Sequence, residues 1–82
     1  MTQRQRECLH ITVPPRCHPL VRPLFQAMRD QNTSYGDIER RAGVSWWTLR
    51  RWRRGQAPYV SHLEAALNVV GLELTVQSRE AE

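Results

Sequence analysis

Residues 34–55, SYGDIERRAGVSWWTLRRWRRG, decide the fold. Ser34 stands three residues before Asp37, a short-side-chain variant of the capping box, and opens a helix that runs to about residue 42. Gly43 supplies the residue best suited to a left-handed backbone, which stops a helix sharply. Val44 follows as an apolar plug, and Ser45 can cap the free amides of a second helix over residues 46–54, closed by Gly55. In that second helix Leu49 and Trp52 share a face by i,i+3 spacing and belong to the core. Trp46, Trp47, Arg50, Arg51 and Arg54 are left toward the outside or the rim.

Outward from this pair the pattern divides the chain into three parts. Residues 1–18 have little helical periodicity and contain Pro14 and Pro15, so they read as a flexible arm, with Leu9, Ile11 and Val13 alternating as a short extended piece. Residues 19–71 form the helical domain. Its first helix carries Leu20, Leu24 and Met28 at four-residue intervals with Phe25 beside them, and ends near Asp30. Proline removes a helical donor and clashes with the preceding turn, so that helix either starts at Pro23 or starts at Pro19 and bends. A fourth helix from about Tyr59 places Val60, Leu63, Leu67 and Val70 on one side and stops at Gly71. In the tail, residues 72–82, Leu72, Leu74 and Val76 alternate with Glu73, Thr75 and Gln77, which is strand periodicity. A lone strand has no sheet to join unless a second copy or the arm supplies one, so these three residues are the expected dimerisation element. The expected fold class is therefore all-α, a small domain of about four helices with a short C-terminal strand.

Eighty-two residues suffice for one small core, and none of the apolar runs approaches the roughly 18 residues of a spanning helix. The polar start TQRQRE does not resemble a signal peptide, so the expected compartment is the cytoplasm, with no membrane partner. All 12 basic residues are arginine, and six of them (Arg40, Arg41, Arg50, Arg51, Arg53, Arg54) fall in a 15-residue span without an acid. The positive field is therefore local to one face rather than spread over the surface. Cys8, His10, Cys17 and His18 include zinc-compatible types, but C-x-H followed by C-H lacks the usual pair separation, so no metal is expected and free thiols are the better account. The sequence shows no paired carboxylates, nucleophile with a base, or glycine-rich phosphate loop, so neither catalysis nor a cofactor is expected.

A helix held by its inner face and braced by its predecessor has an outer face free to enter a major groove. On that face Arg50 and Arg51 suit guanine O6 and N7 or phosphate, whereas Arg54, one turn later, suits phosphate. Trp46 and Trp47 lie about 100° apart on a helix, which leaves open whether one covers a thymine methyl while the other caps the core, or whether the pair serves a protein partner. Arg4, Arg6 and Arg16 in the arm either enter a minor groove or graze phosphate, or belong to ordinary disorder.

With these residues in view, the chain resembles the phage-repressor-type helix-turn-helix regulators, the Cro, cI and Xre group, over about residues 20–70. The resemblance is most specific in GVSWWTLRRWRRG, residues 43–55. It implies base-reading roles for Trp46, Trp47, Arg50 and Arg51, and phosphate contacts from Tyr35 at the start of the preceding helix. Ser45, Arg53 and Arg54 join Tyr35 in positioning. Two departures stand out: Arg53 replaces a frequent glutamate, and Glu39 replaces a frequent alanine between the helices. The family's usual fifth helix is also missing from the pattern. The expected function is sequence-specific binding of double-stranded DNA by a homodimer at a pseudo-palindromic site, regulating transcription. The alternative is an antitoxin or anti-repressor type adaptor that holds a protein partner through the N-terminal arm or the tryptophan face and also binds DNA.

Overall fold

A computed structural model describes residues 11–79, and among them the regular structure is four helices with no strand. They are α1 (Arg22–Gln31), α2 (Tyr35–Ala42), α3 (Trp46–Arg53) and α4 (Val60–Val69). No helix among the described residues is long and apolar enough to cross a membrane.

The local signals around the central pair act as the sequence predicts. The Ser34 hydroxyl accepts the Asp37 amide at 3.1 Å while the Asp37 carboxylate accepts the Ser34 amide at 3.0 Å, completing a reciprocal capping box. Asp37 also pairs with Arg40 one turn on, so a buried carboxylate is compensated on both sides. Gly43 sits at φ 73°, where its amide reaches the Glu39 carbonyl at 3.0 Å and ends α2. Val44 is buried in the turn, and the Ser45 hydroxyl accepts the Thr48 amide at 3.2 Å to start α3.

The core gathers one face from every helix. Leu24, Phe25 and Met28 come from α1, Ile38 from α2, Leu49 and Trp52 from α3, and Leu63, Ala66 and Leu67 from α4. α2 packs on both α3 and α4, which makes it the bracket of the fold. The Gln31 side-chain amide donates to the Val70 carbonyl at 2.8 Å, tying the end of α1 to the end of α4.

Of the two starts open for the first helix, the structure takes the later: α1 begins at Arg22 with Pro23 in its first turn, so the chain does not bend at a proline, and it ends at Asn32 in a left-handed conformation. Leu20 consequently lies in the turn before the helix and is 52% exposed, while Val21, four residues before Phe25, takes the buried place. The described part of the expected arm, residues 11–18, is packed rather than free: Ile11 and Cys17 are buried in the core and Val13 lies against it. Leu9, Cys8, His10 and the rest of residues 1–10 lie outside the described residues. Likewise Val60, placed on the inner side of α4 from its spacing, is exposed.

A candidate nucleic-acid interface on the third helix

Leu49 and Trp52 anchor α3 by its underside, Trp52 being 2% exposed despite its size. Burying such side chains stabilises by about 1.5–3 kcal/mol each, which holds the orientation of the opposite face. That face carries Trp46 at 39% exposure, Trp47 at 61%, the half-buried Arg50 and the exposed Arg51. The four residues expected to read bases therefore lie together at the surface. Neither tryptophan at the helix start serves as a core cap.

The tryptophans are neighbours despite their angular separation, because the rings tilt toward each other. Their centroids are 5.0 Å apart at 70°, an edge-to-face arrangement favoured by the ring quadrupoles. The Arg50 guanidinium lies 4.7 Å from the Trp46 centroid and 5.7 Å from that of Trp47. A cation over two aromatic faces holds an otherwise mobile side chain in place. Trp46, Trp47 and Arg50 thus form one ordered unit at the start of α3.

The expected phosphate-contacting residues are placed less uniformly. Arg54 is exposed at the end of α3. The Ser45 hydroxyl is occupied by its capping role and by the Thr48 hydroxyl at 3.0 Å. Tyr35, the first residue of α2, is half-buried; burial pushes its phenol above the ordinary range, partly offset by the charge and hydrogen bond of Arg53 and by the charge of Arg50. Arg53 turns inward to the chain itself: its guanidinium donates to the Thr12 carbonyl at 2.7 Å and the Thr12 hydroxyl at 2.9 Å, and lies 5.4 Å from the Phe25 ring. Arg53 is thus the clasp that holds the N-terminal segment against α3. Sequence reading missed this use, although the Leu9-Ile11-Val13 alternation had already singled out that segment as apolar on one side.

Gly55 closes the site at its far end. At φ 106° it turns away from α3, and a Cβ there would lie 3.0 Å from the Arg16 carbonyl oxygen, so a side chain would be strained and would press the N-terminal segment outward by a few tenths of an ångström. Glu39 is exposed, and its carboxylate accepts the Trp46 backbone amide at 3.4 Å, a favourable place for negative charge at a helix start.

Of the remaining predicted residues, Leu72 and Val76 are exposed, Val76 at 98%, and Leu74 is half-buried against the core. They continue from α4 without regular structure. Leu74 and Val76 border a cleft of about 430 Å³ that Leu20, Val60 and Leu63 also line. Cys17 is a buried thiol, and the His18 ring accepts the Leu20 amide at 3.1 Å through Nδ1. Comparison of the chain with family models, with curated proteins and with solved structures finds no match.

Proposed function

We propose that the protein is a sequence-specific DNA-binding regulator of transcription that inserts α3 into the major groove, in the manner of the Cro, cI and Xre group that its sequence resembles. The observation that carries this reading is the two-sidedness of α3, with Leu49 and Trp52 locked in the core and Trp46, Trp47, Arg50 and Arg51 together on the exposed side. A braced helix with a donor-rich outer face is what groove reading requires. Arg50 and Arg51 with the tryptophans specify the bases. Arg54, Tyr35 and the start of α3 position the protein on phosphates, and Arg53 supports them by holding the N-terminal segment.

The active form is a homodimer on a pseudo-palindromic site, because one module of this size reads few bases and pairing two raises both affinity and the number read. Leu72, Leu74 and Val76 form the dimerising strand by antiparallel pairing with the second copy. Support comes from the exposed apolar side chains of this segment and from the cleft beside it. The compartment is the cytoplasm. The exposed tryptophan pair favours the second reading, an antitoxin-type adaptor that holds another protein on that face. Selection of a DNA site by the pure protein that is lost in Trp47→Ala favours the first reading over the second.

The test is selection of bound duplexes from a random pool at a stated salt concentration. An enriched inverted repeat is expected, with half-sites about one helical turn apart. Recovery of the unselected base composition would overturn the proposal.

A further inference from the structure

The outer face of α3 is unusual in what it lacks. The helix WWTLRRWR contains no carboxylate and no carboxamide. Arginine carries donors and no acceptor, and the indole N–H is a donor only. The single hydroxyl of the helix, on Thr48, is joined to that of Ser45 at 3.0 Å, and the nearby Glu39 carboxylate faces the Trp46 backbone amide. In the major groove, adenine N6 and cytosine N4 are donors and need an acceptor from the protein. Guanine O6 and N7 and thymine O4 are acceptors, and the thymine methyl is apolar.

Resting on the DNA-binding reading above, we infer that this face reads only base acceptors and pyrimidine methyls, and that its preferred feature is a thymine with a guanine beside it. The Trp46–Trp47–Arg50 unit carries the inference. The Arg50 guanidinium lies over the Trp46 ring and close to that of Trp47, and its fork of N–H donors suits guanine O6 and N7. The more exposed ring, Trp47, presents an apolar surface for a C5-methyl. Neighbouring bases stack about 3.4 Å apart. A guanidinium 4.7 and 5.7 Å from the two ring centroids therefore serves the base next to the one the rings cover. A 5-methylcytosine beside guanine offers the same methyl and the same guanine acceptors but places a donor N4 where thymine has the acceptor O4, so it should bind more weakly than the thymine step.

The experiment uses duplexes of the selected site carrying one altered base at a time, which leaves the protein untouched. Deoxyuridine for thymine removes the methyl, 7-deazaguanine removes N7, and 2-aminopurine for adenine removes the groove-facing N6 amine while keeping two pairing bonds. Deoxyuridine and 7-deazaguanine at the thymine–guanine step should each weaken binding by about tenfold, and 2-aminopurine should leave it within about twofold. In W47A, a change at an exposed position, thymine and deoxyuridine duplexes should bind equally. Loss at 2-aminopurine positions, or indifference to both deoxyuridine and 7-deazaguanine in a site that is nonetheless selected, would overturn this inference while leaving DNA binding intact. A pool with no enriched site would instead overturn the reading on which it rests.

Discussion

Two arginines two positions apart on α3, Arg51 and Arg53, have opposite fates, and the difference lies in what each meets. Arg51 is exposed, whereas Arg53 donates twice to Thr12, 41 residues away in the chain. Replacing Arg53 with alanine should therefore lower folding stability by about 1–2 kcal/mol, read as a shift in denaturant midpoint, because a charge-assisted pair of bonds is lost and the N-terminal segment is released. Arg51→Ala should leave the midpoint in place. It should instead erase discrimination at particular base pairs in a panel of single-base site variants, while Arg54→Ala weakens every variant about equally. Equal loss across the panel for Arg51→Ala would refute its base-reading role. Tyr35 adds a pH signature. Its half-buried phenol ionises above the ordinary 10.0, so the unfolded chain releases that proton first and the native state loses stability as pH climbs past that value. Comparing denaturant midpoints at about pH 9 and about pH 11 should show a smaller alkaline loss in Tyr35→Phe than in the parent.

At the scale of elements, the helix pair rests on three small residues whose work is local. Ser34→Ala and Ser45→Ala should each cost about 1 kcal/mol through lost caps. Gly43→Val should cost at least about 1–2 kcal/mol, since a β-branched residue is strained at its positive φ. Thermal or chemical unfolding checks all three, and an unchanged Gly43→Val midpoint would show that the turn is not confined as described. This locality is why α2, α3 and their connection were legible in the sequence: caps, turn glycine and i,i+3 spacing act between neighbours in the chain. The packed segment of residues 11–17 was illegible for the opposite reason. The burial of Ile11 and Cys17 and the Arg53–Thr12 clasp depend on parts of the chain brought together only by folding, and prolines within the segment hide its periodicity. Leu20 misled because four-residue spacing was extended one turn past the true start of α1, where Val21 holds the inward position. The candidate reading face was legible in identity; its ordering through Arg50 set against two rings depends on side-chain geometry that spacing does not encode.

The whole molecule has a modest formal charge of +4, so attraction to any polyanion is a weak explanation of function, and the arrangement of the arginines carries the argument. Dimerisation belongs to this scale too. Leu74→Pro should give a monomer by sedimentation and a markedly weaker complex with a full site; a variant that stayed dimeric would sink the strand-pairing proposal. The central claim, that the outer face of α3 reads sequence rather than charge, is tested most directly by the ratio of affinities for the selected site and for a scrambled duplex of equal length at about 0.15 M salt. The account predicts a preference of about a thousandfold or more for the selected site. Equal affinity for the two duplexes would contradict it.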